Sequence, residues 1–237
     1  MEKDFNRELS EKSMIPLKDE IPTRSFPIVN LLLIVANIAV FGLQWLAGPY
    51  QTELVYRFAV IPIEVTSGYN VFAIGNIFSS MFMHAGLMHL GGNMLYLWIF
   101  GDNVEDSMGH FKYLLFYLVG GIVAALTHIL TNPSSAIPTV GASGAIAAVL
   151  GAYLILYPKS RVLTVIPLGI FFKMTMVPSV IVLGLWFVIQ LVSGMLSMDG
   201  PDVGGVAFWA HIGGFVAGMA MAKLFSSRRK AEAYLPW

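Results

Sequence analysis

The chain contains no cysteine. Disulfides, thiolate catalysis and cysteine-ligated metals are therefore excluded, and redox chemistry leaves the compartment open. Charge is scarce as well. Only 12% of the 237 residues are Asp, Glu, Lys or Arg, about half the ~25% of an ordinary soluble domain. The charges cancel and no long basic run appears, so no nucleic-acid partner is expected. The metalloprotease signature HExxH is missing, and the five-residue spacing of His84 and His89 does not set both rings squarely on one helix face. No metal and no cofactor are expected. A basic start followed by an apolar core, as a signal peptide requires, is also absent: residues 1–27 mix Lys3, Arg7, Lys12, Lys18 and Arg24 with six carboxylates. They read as a solvated cytoplasmic tail ending at Pro27.

What the chain has in abundance is apolar sequence. Hydrophobic residues make up 57%, and mean hydropathy is +0.72. A membrane helix needs roughly 20 apolar residues. Five stretches qualify: Ile28–Leu46, Phe78–Phe100, Tyr113–Leu130, Val177–Leu196 and Val206–Phe225. A sixth, Ser143–Tyr157, is short, about 22 Å at the helical rise of about 1.5 Å per residue. It is kept as a helix because lipid does not tolerate an unpaired backbone. The segment Val162–Phe172, bracketed by Arg161 and Lys173, is too short to span and reads as lying along the interface. The expected fold is thus all-α: a polytopic, multi-pass integral membrane protein with a six-helix domain at 28–225. A cytoplasmic tail follows at 226–237, and the setting is a prokaryotic cell membrane.

Lysine and arginine set the orientation. With the N-terminus inside, thirteen fall on the inner side and only Arg57 on the outer. Both termini then face the cytoplasm and Ser143 faces the far side. Depth follows from each helix's charged end. Ser143 stands roughly 24 Å above Lys159, His211 roughly 18 Å above Lys223, and His89 and Asn93 roughly 20 and 14 Å above Asp102. All four polar residues share the middle and outer membrane.

Polar groups at such depth are costly and mark function. Peptide hydrolysis needs a nucleophile, a base for its proton, and donors for the developing oxyanion. Ser143 and His211 fill the first two roles. His89 and Asn93, four residues apart, share a helix face. The Ser143 amide, at a helix start, has no internal partner. No Asp or Glu lies at matching depth to orient His211, so packing is expected to replace the usual third member. Gly144, Ala147, Ala148, Gly151 and Ala152 form one small-residue stripe; His211, Gly214 and Gly218 form another. Such stripes let helices approach closely in lipid.

Three elements then stand together: HAGLMHLGGN over His84–Asn93, GASG over Gly141–Gly144, and AHIGG over Ala210–Gly214. In this order, on the second, fourth and sixth spans, they resemble the rhomboid intramembrane serine proteases over roughly Ile28–Phe225. The resemblance implies a serine-type endopeptidase that cuts transmembrane protein substrates near the outer membrane face. Ser143 is implied as nucleophile, His211 as general base, and His89, Asn93 and the Ser143 amide as the oxyanion site. His84 matches a structural histidine, and Glu105 an acidic residue that the family places after the second span. Val177–Leu196 and Ser197–Gly205 match the gating helix and loop. Two departures stand out. Tyr56-Arg57 replaces a Trp-Arg pair in the first outer loop, and Ala147 stands where some members stack an aromatic residue near the histidine.

Plainer roles compete. Ser143 can serve as a helix-start cap. His89 and Asn93 can be interhelical glue, the reading favoured for Asn30, Asn37 and Gln44. His84 and His128 are read as structural, and Asp102, Glu105 and Asp106 as solvated or paired with the basic tail. Two other functions compete with proteolysis. One is a non-catalytic rhomboid-like protein that binds transmembrane helices, for which retention of both Ser143 and His211 would be superfluous. The other is a small transporter, for which no inverted repeat is found.

Overall fold

The computed structural model describes residues 14–68, 70, 72–168, 171–197 and 206–227. The expectations for residues 1–13, 198–205 and 228–237 lie outside the described residues.

In chain order the elements are β1 (Ile15–Asp19), α1 (Ile28–Leu46), α2 (Gln51–Phe58), α3 (Pro62–Ser67), α4 (Ala73–Ser80), α5 (Leu87–Met108), α6 (His110–Thr131), α7 (Ser143–Leu156), β2 (Arg161–Leu168), β3 (Phe171–Pro178), α8 (Ser179–Leu196) and α9 (Phe208–Phe225). Among the described residues, α1, α6, α8 and α9 are long and apolar enough to cross a membrane. Helix α5 has the length, 22 residues, but carries Asp102, Glu105 and Asp106 in its last turns. Helix α7 has 14 residues.

Helix α7 sits at the centre, enclosed by α5, α6 and α9. It is apolar all round and buried over Ala145–Tyr153, as a helix without a polar face must be. Its tightest neighbour is α9. A Cβ on Gly151 would overlap the Phe215 carbonyl, one on Gly214 the Gly144 carbonyl, and one on Gly218 the Ala148 carbonyl. The two small-residue stripes therefore meet, and the backbones touch where any side chain would hold them apart. Toward the charged end, Phe100, Tyr153 and Phe215 fill the core.

The all-α expectation needs correction. A three-stranded antiparallel sheet of order β1-β2-β3 closes the charged end. Arg161 pairs with Pro178 and Leu168 with Phe171, so the segment read as lying along the interface is a hairpin. Its run of Val162, Thr164, Val165 and Ile166 with alternating burial is strand chemistry. Nor is the segment before Pro27 wholly a solvated tail. Strand β1 pairs with β2, and Asp19 is buried, accepting bonds from Tyr153 Oη at 2.6 Å and Asn103 Nδ2 at 2.8 Å.

Of the carboxylates on α5, Glu105 and Asp106 are buried and Asp102 is half-buried, and contacts with the N-terminal segment, the second of the two expected roles, take the place of solvation. Glu105 accepts the amides of Val29 and Asn30 at 3.0 and 2.7 Å, and it also contacts His110. Asp106 accepts from Ser25 and from the Arg24 amide. These acids bind amides at and just before the start of α1, groups a helix leaves without partners. The second span differs from the hydropathic stretch Phe78–Phe100: α4 ends at Ser80, and α5 begins only after the His84-Ala85-Gly86 turn. Gln44 clamps that turn, donating to the His84 carbonyl at 3.1 Å and accepting its amide at 3.0 Å.

Candidate active site

The site forms where α7 begins. Gly141 has φ +137°, and a Cβ there would stand 2.8 Å from His89 Cε1, so glycine answers both a backbone and a space requirement. The Gly141 amide donates to Ser80 O at 2.9 Å. One residue pair earlier, Thr139 pairs with Val60, and its hydroxyl lies 3.1 Å from His128 Nε2. The loop before Ser143 is thus tied to the layer formed by α2, α3 and α4. In that layer Asn76 Nδ2 donates to the Arg57 carbonyl, and the Arg57 guanidinium lies over Phe58.

Ser143 is the first residue of α7, after the N-cap residue Ala142. Its Oγ lies 2.7 Å from His211 Nε2. The bond comes from α9, held against α7 by the glycine contacts. A second bond to the ring was not read from the sequence. Gln190 Oε1, on α8, lies 2.7 Å from His211 Nδ1. Trp186, one helical turn before Gln190, flanks the same ring at 5.8 Å between centroids. Position 147 is alanine, and the aromatic ring beside His211 comes from α8 instead. Both residues were legible in principle. Gln190 is the sole amide in Ser179–Leu196, and an i, i+4 pair shares a face.

A cavity of about 710 Å³ opens in front of the pair, and Ser143, His211, His89, Asn93, Gly141 and Trp186 all line it. Asn93 is buried, and its Nδ2 has no hydrogen-bond partner. Such an orphaned donor costs free energy unless something else uses it. His89 Nδ1 faces the Ala85 amide at 3.4 Å, and the Nε2 side of the ring faces Gly141. His84 is buried behind it, edge-on at 5.2 Å, with neither ring nitrogen bonded; it lines no part of the cavity. The first bond at the start of α7 runs from Ile146 N to Ala142 O, so the Ser143 and Gly144 amides precede it. Among the described residues no group of three His, Asp or Glu could hold a metal ion.

The rhomboid domain profile matches residues 72–228, a stretch that contains Ser143, His211, His89 and Asn93. The chain belongs to the rhomboid family. It is similar to rhomboid protein 1 of yeast mitochondria (Saccharomyces cerevisiae), 32% identical over 131 residues, covering 54% of this chain and 36% of the relative. It is similar to the rhomboid protease GluP of Bacillus subtilis, 31% identical over 140 residues, covering 59% and 24%. A putative rhomboid protease of the same bacterium, YdcA, is 28% identical over 138 residues, covering 55% and 63%. The chain spans 36%, 24% and 63% of these three relatives' lengths, less than two thirds of each. Mitochondrial, chloroplastic and bacterial proteins all appear among them. Family and composition make this rhomboid an integral membrane protein.

Proposed function

We propose that this rhomboid is an intramembrane serine endopeptidase with Ser143 as nucleophile and His211 as general base. The observation that carries this reading is the 2.7 Å contact between Ser143 Oγ and His211 Nε2 beside a cavity bearing an unpartnered Asn93 donor. A glue role for Asn93 would leave its Nδ2 bonded to a neighbouring helix, and a capping role for Ser143 would turn its hydroxyl to the α7 backbone.

The chemistry follows. His211 takes the Ser143 proton at Nε2 as Oγ attacks the scissile carbonyl carbon. The oxyanion forms beside Asn93 Nδ2, the His89 ring and the first amides of α7, donors fixed before reaction. The imidazolium then passes its proton to the leaving nitrogen, and the C–N bond breaks. Water enters, loses a proton to His211 and attacks the acyl carbon, and Ser143 regains its proton as the second product leaves. The substrate class is a transmembrane helix whose cleaved bond unwinds near the outer face. The six-helix count, with α5 and α7 crossing beside the four apolar helices, and the cytoplasmic termini belong to the same reading. The lysine and arginine distribution supports that orientation.

Covalent trapping tests the nucleophile without a known substrate. A fluorophosphonate should label the wild-type protein, and peptide mapping should find the adduct on Ser143. His211→Ala should label far more slowly. An adduct on any other serine would overturn the assignment. A rhomboid-like helix-binding protein, the competing reading, would take up no probe and would still capture transmembrane helices.

A further inference from the structure

We propose that Gln190 is the positioning residue of this site, performing from α8 the task that a carboxylate performs in serine–histidine–aspartate proteases. The inference rests on the dyad reading above. It replaces packing, the orienting agent expected from the sequence, with one named hydrogen bond.

The buried positions of α8 are Ser179, Val182, Leu183, Gln190, Ser193 and Gly194, a single stripe at three-four spacing. Gln190 lies on the stripe turned to the bundle, and its side chain is buried. In a helix otherwise made of apolar and small residues, an amide is costly unless it is bonded. Its bond goes to His211 Nδ1.

The tautomer follows from the atoms. The oxygen of the amide faces Nδ1, and an oxygen only accepts, so with the amide in this orientation Nδ1 carries the hydrogen. Nε2 then has its lone pair, and that lone pair faces Ser143 Oγ. This is the form that can take a proton. The opposite tautomer would place a hydrogen on Nε2 and disable the base. The same bond fixes the ring's rotation, with Trp186 against one side. When Nε2 takes the serine proton, the ring becomes cationic and the Nδ1–H bond to Gln190 becomes charge-assisted and stronger. The interaction therefore favours the charged transition state over the resting state. The other ionisable groups acting on His211 are His89 from α5 and His128 from α6, neither an acid. Among the described residues the amide oxygen of Gln190 is the acceptor placed at Nδ1.

The test uses the full chain in liposomes with a cleavable single-pass substrate, and Ser143→Ala as the control for the dyad itself. Gln190→Met keeps length and packing but removes the acceptor. It should lower kcat about 10- to 100-fold, the worth of a hydrogen bond to a group that becomes charged, with KM and thermal stability close to wild type. Gln190→Asn, one methylene shorter, should fall in the same way and serves if the Met variant does not fold. Gln190→Glu restores an acceptor and should recover activity. Its carboxylate favours the imidazolium, so the acidic limb of its pH–rate profile should move to higher pH. A purely structural glutamine would move neither kcat alone nor that limb. Wild-type kcat in Gln190→Met or Gln190→Asn overturns the proposal, as does an inactive but folded Gln190→Glu. Cleavage that survives in Ser143→Ala would instead sink the dyad reading on which it rests.

Discussion

Gly141 and His89 are in such close contact that no methyl group fits between them: a Cβ on Gly141 would stand 2.8 Å from Cε1 and 2.9 Å from Nε2 of the ring. The loop that delivers Ser143 and the helix that carries His89, the proposed oxyanion donor, are therefore fitted to each other directly.

Gly141→Ala should accordingly cost activity more than fold. It places a side chain at φ +137° and pushes the His89 ring aside, strain of about 1–3 kcal/mol. Cleavage rate should drop at least about 10-fold, while a thermal melt in detergent shifts by only a few degrees. Unchanged cleavage would show that the His89 position is irrelevant to the reaction.

Asn93→Ala should separate catalysis from stability in the other direction. The buried Nδ2 has no protein partner, so removing it relieves a desolvated donor instead of breaking a bond. Stability should stay or rise. The kcat should fall about 100-fold, the loss typical of one oxyanion donor. Loss of stability with full activity would make Asn93 a packing residue.

Gly218→Val addresses the helix pairing that brings His211 to Ser143. A Cβ there would overlap the Ala148 backbone, so α7 and α9 must separate. Destabilisation of about 1–3 kcal/mol, the usual cost of overpacking, should accompany loss of cleavage. Gly184→Val on α8, where a Cβ meets nothing within 4 Å, is the control and should be near neutral. Equal effects at both positions would argue against a backbone seam.

Asp19 gives a pH dependence at the charged end of the bundle. Burial pushes its carboxyl up to about 7, against the bonds from Tyr153 that pull it down. The folded state thus holds a proton that the unfolded chain, at the ordinary 3.8, has already lost. The associated stability is present below about pH 4 and is lost as pH rises through about 7. Asp19→Asn should flatten this part of the curve, and melts from pH 4 to 8 measure it. A wild-type curve that does not fall between pH 4 and 7 would show that Asp19 stays charged in place.

Much of this was legible in the sequence because the bilayer makes it so. Hydropathy marks α1, α6, α8 and α9 to within a few residues, and polar residues at depth are rare enough to count. The pairing of Gly214 and Gly218 with α7 follows from small-residue spacing. Hydropathy says less where an apolar or charged residue is not in a span. Val162–Phe172 belongs to a hairpin that buries Val162 and leaves Phe171 and Phe172 exposed, and Glu105 and Asp106 are buried where they accept chain amides. A one-dimensional reading leaves a charge near a boundary either solvated or paired, without its partner. A single glutamine such as Gln190 carries no motif; its meaning lies in which face of α8 it occupies and what stands opposite.

The central claim is that Ser143 attacks a peptide bond within the membrane. The direct measurement is proteolysis of a single-pass substrate co-reconstituted in liposomes, comparing wild type with Ser143→Ala and locating the new termini by mass. The account predicts two fragments from the wild type, cut within or at the edge of the substrate's apolar span, and none from Ser143→Ala at equal folded amount. Cleavage by both proteins, or a cut site far outside the membrane, would contradict it.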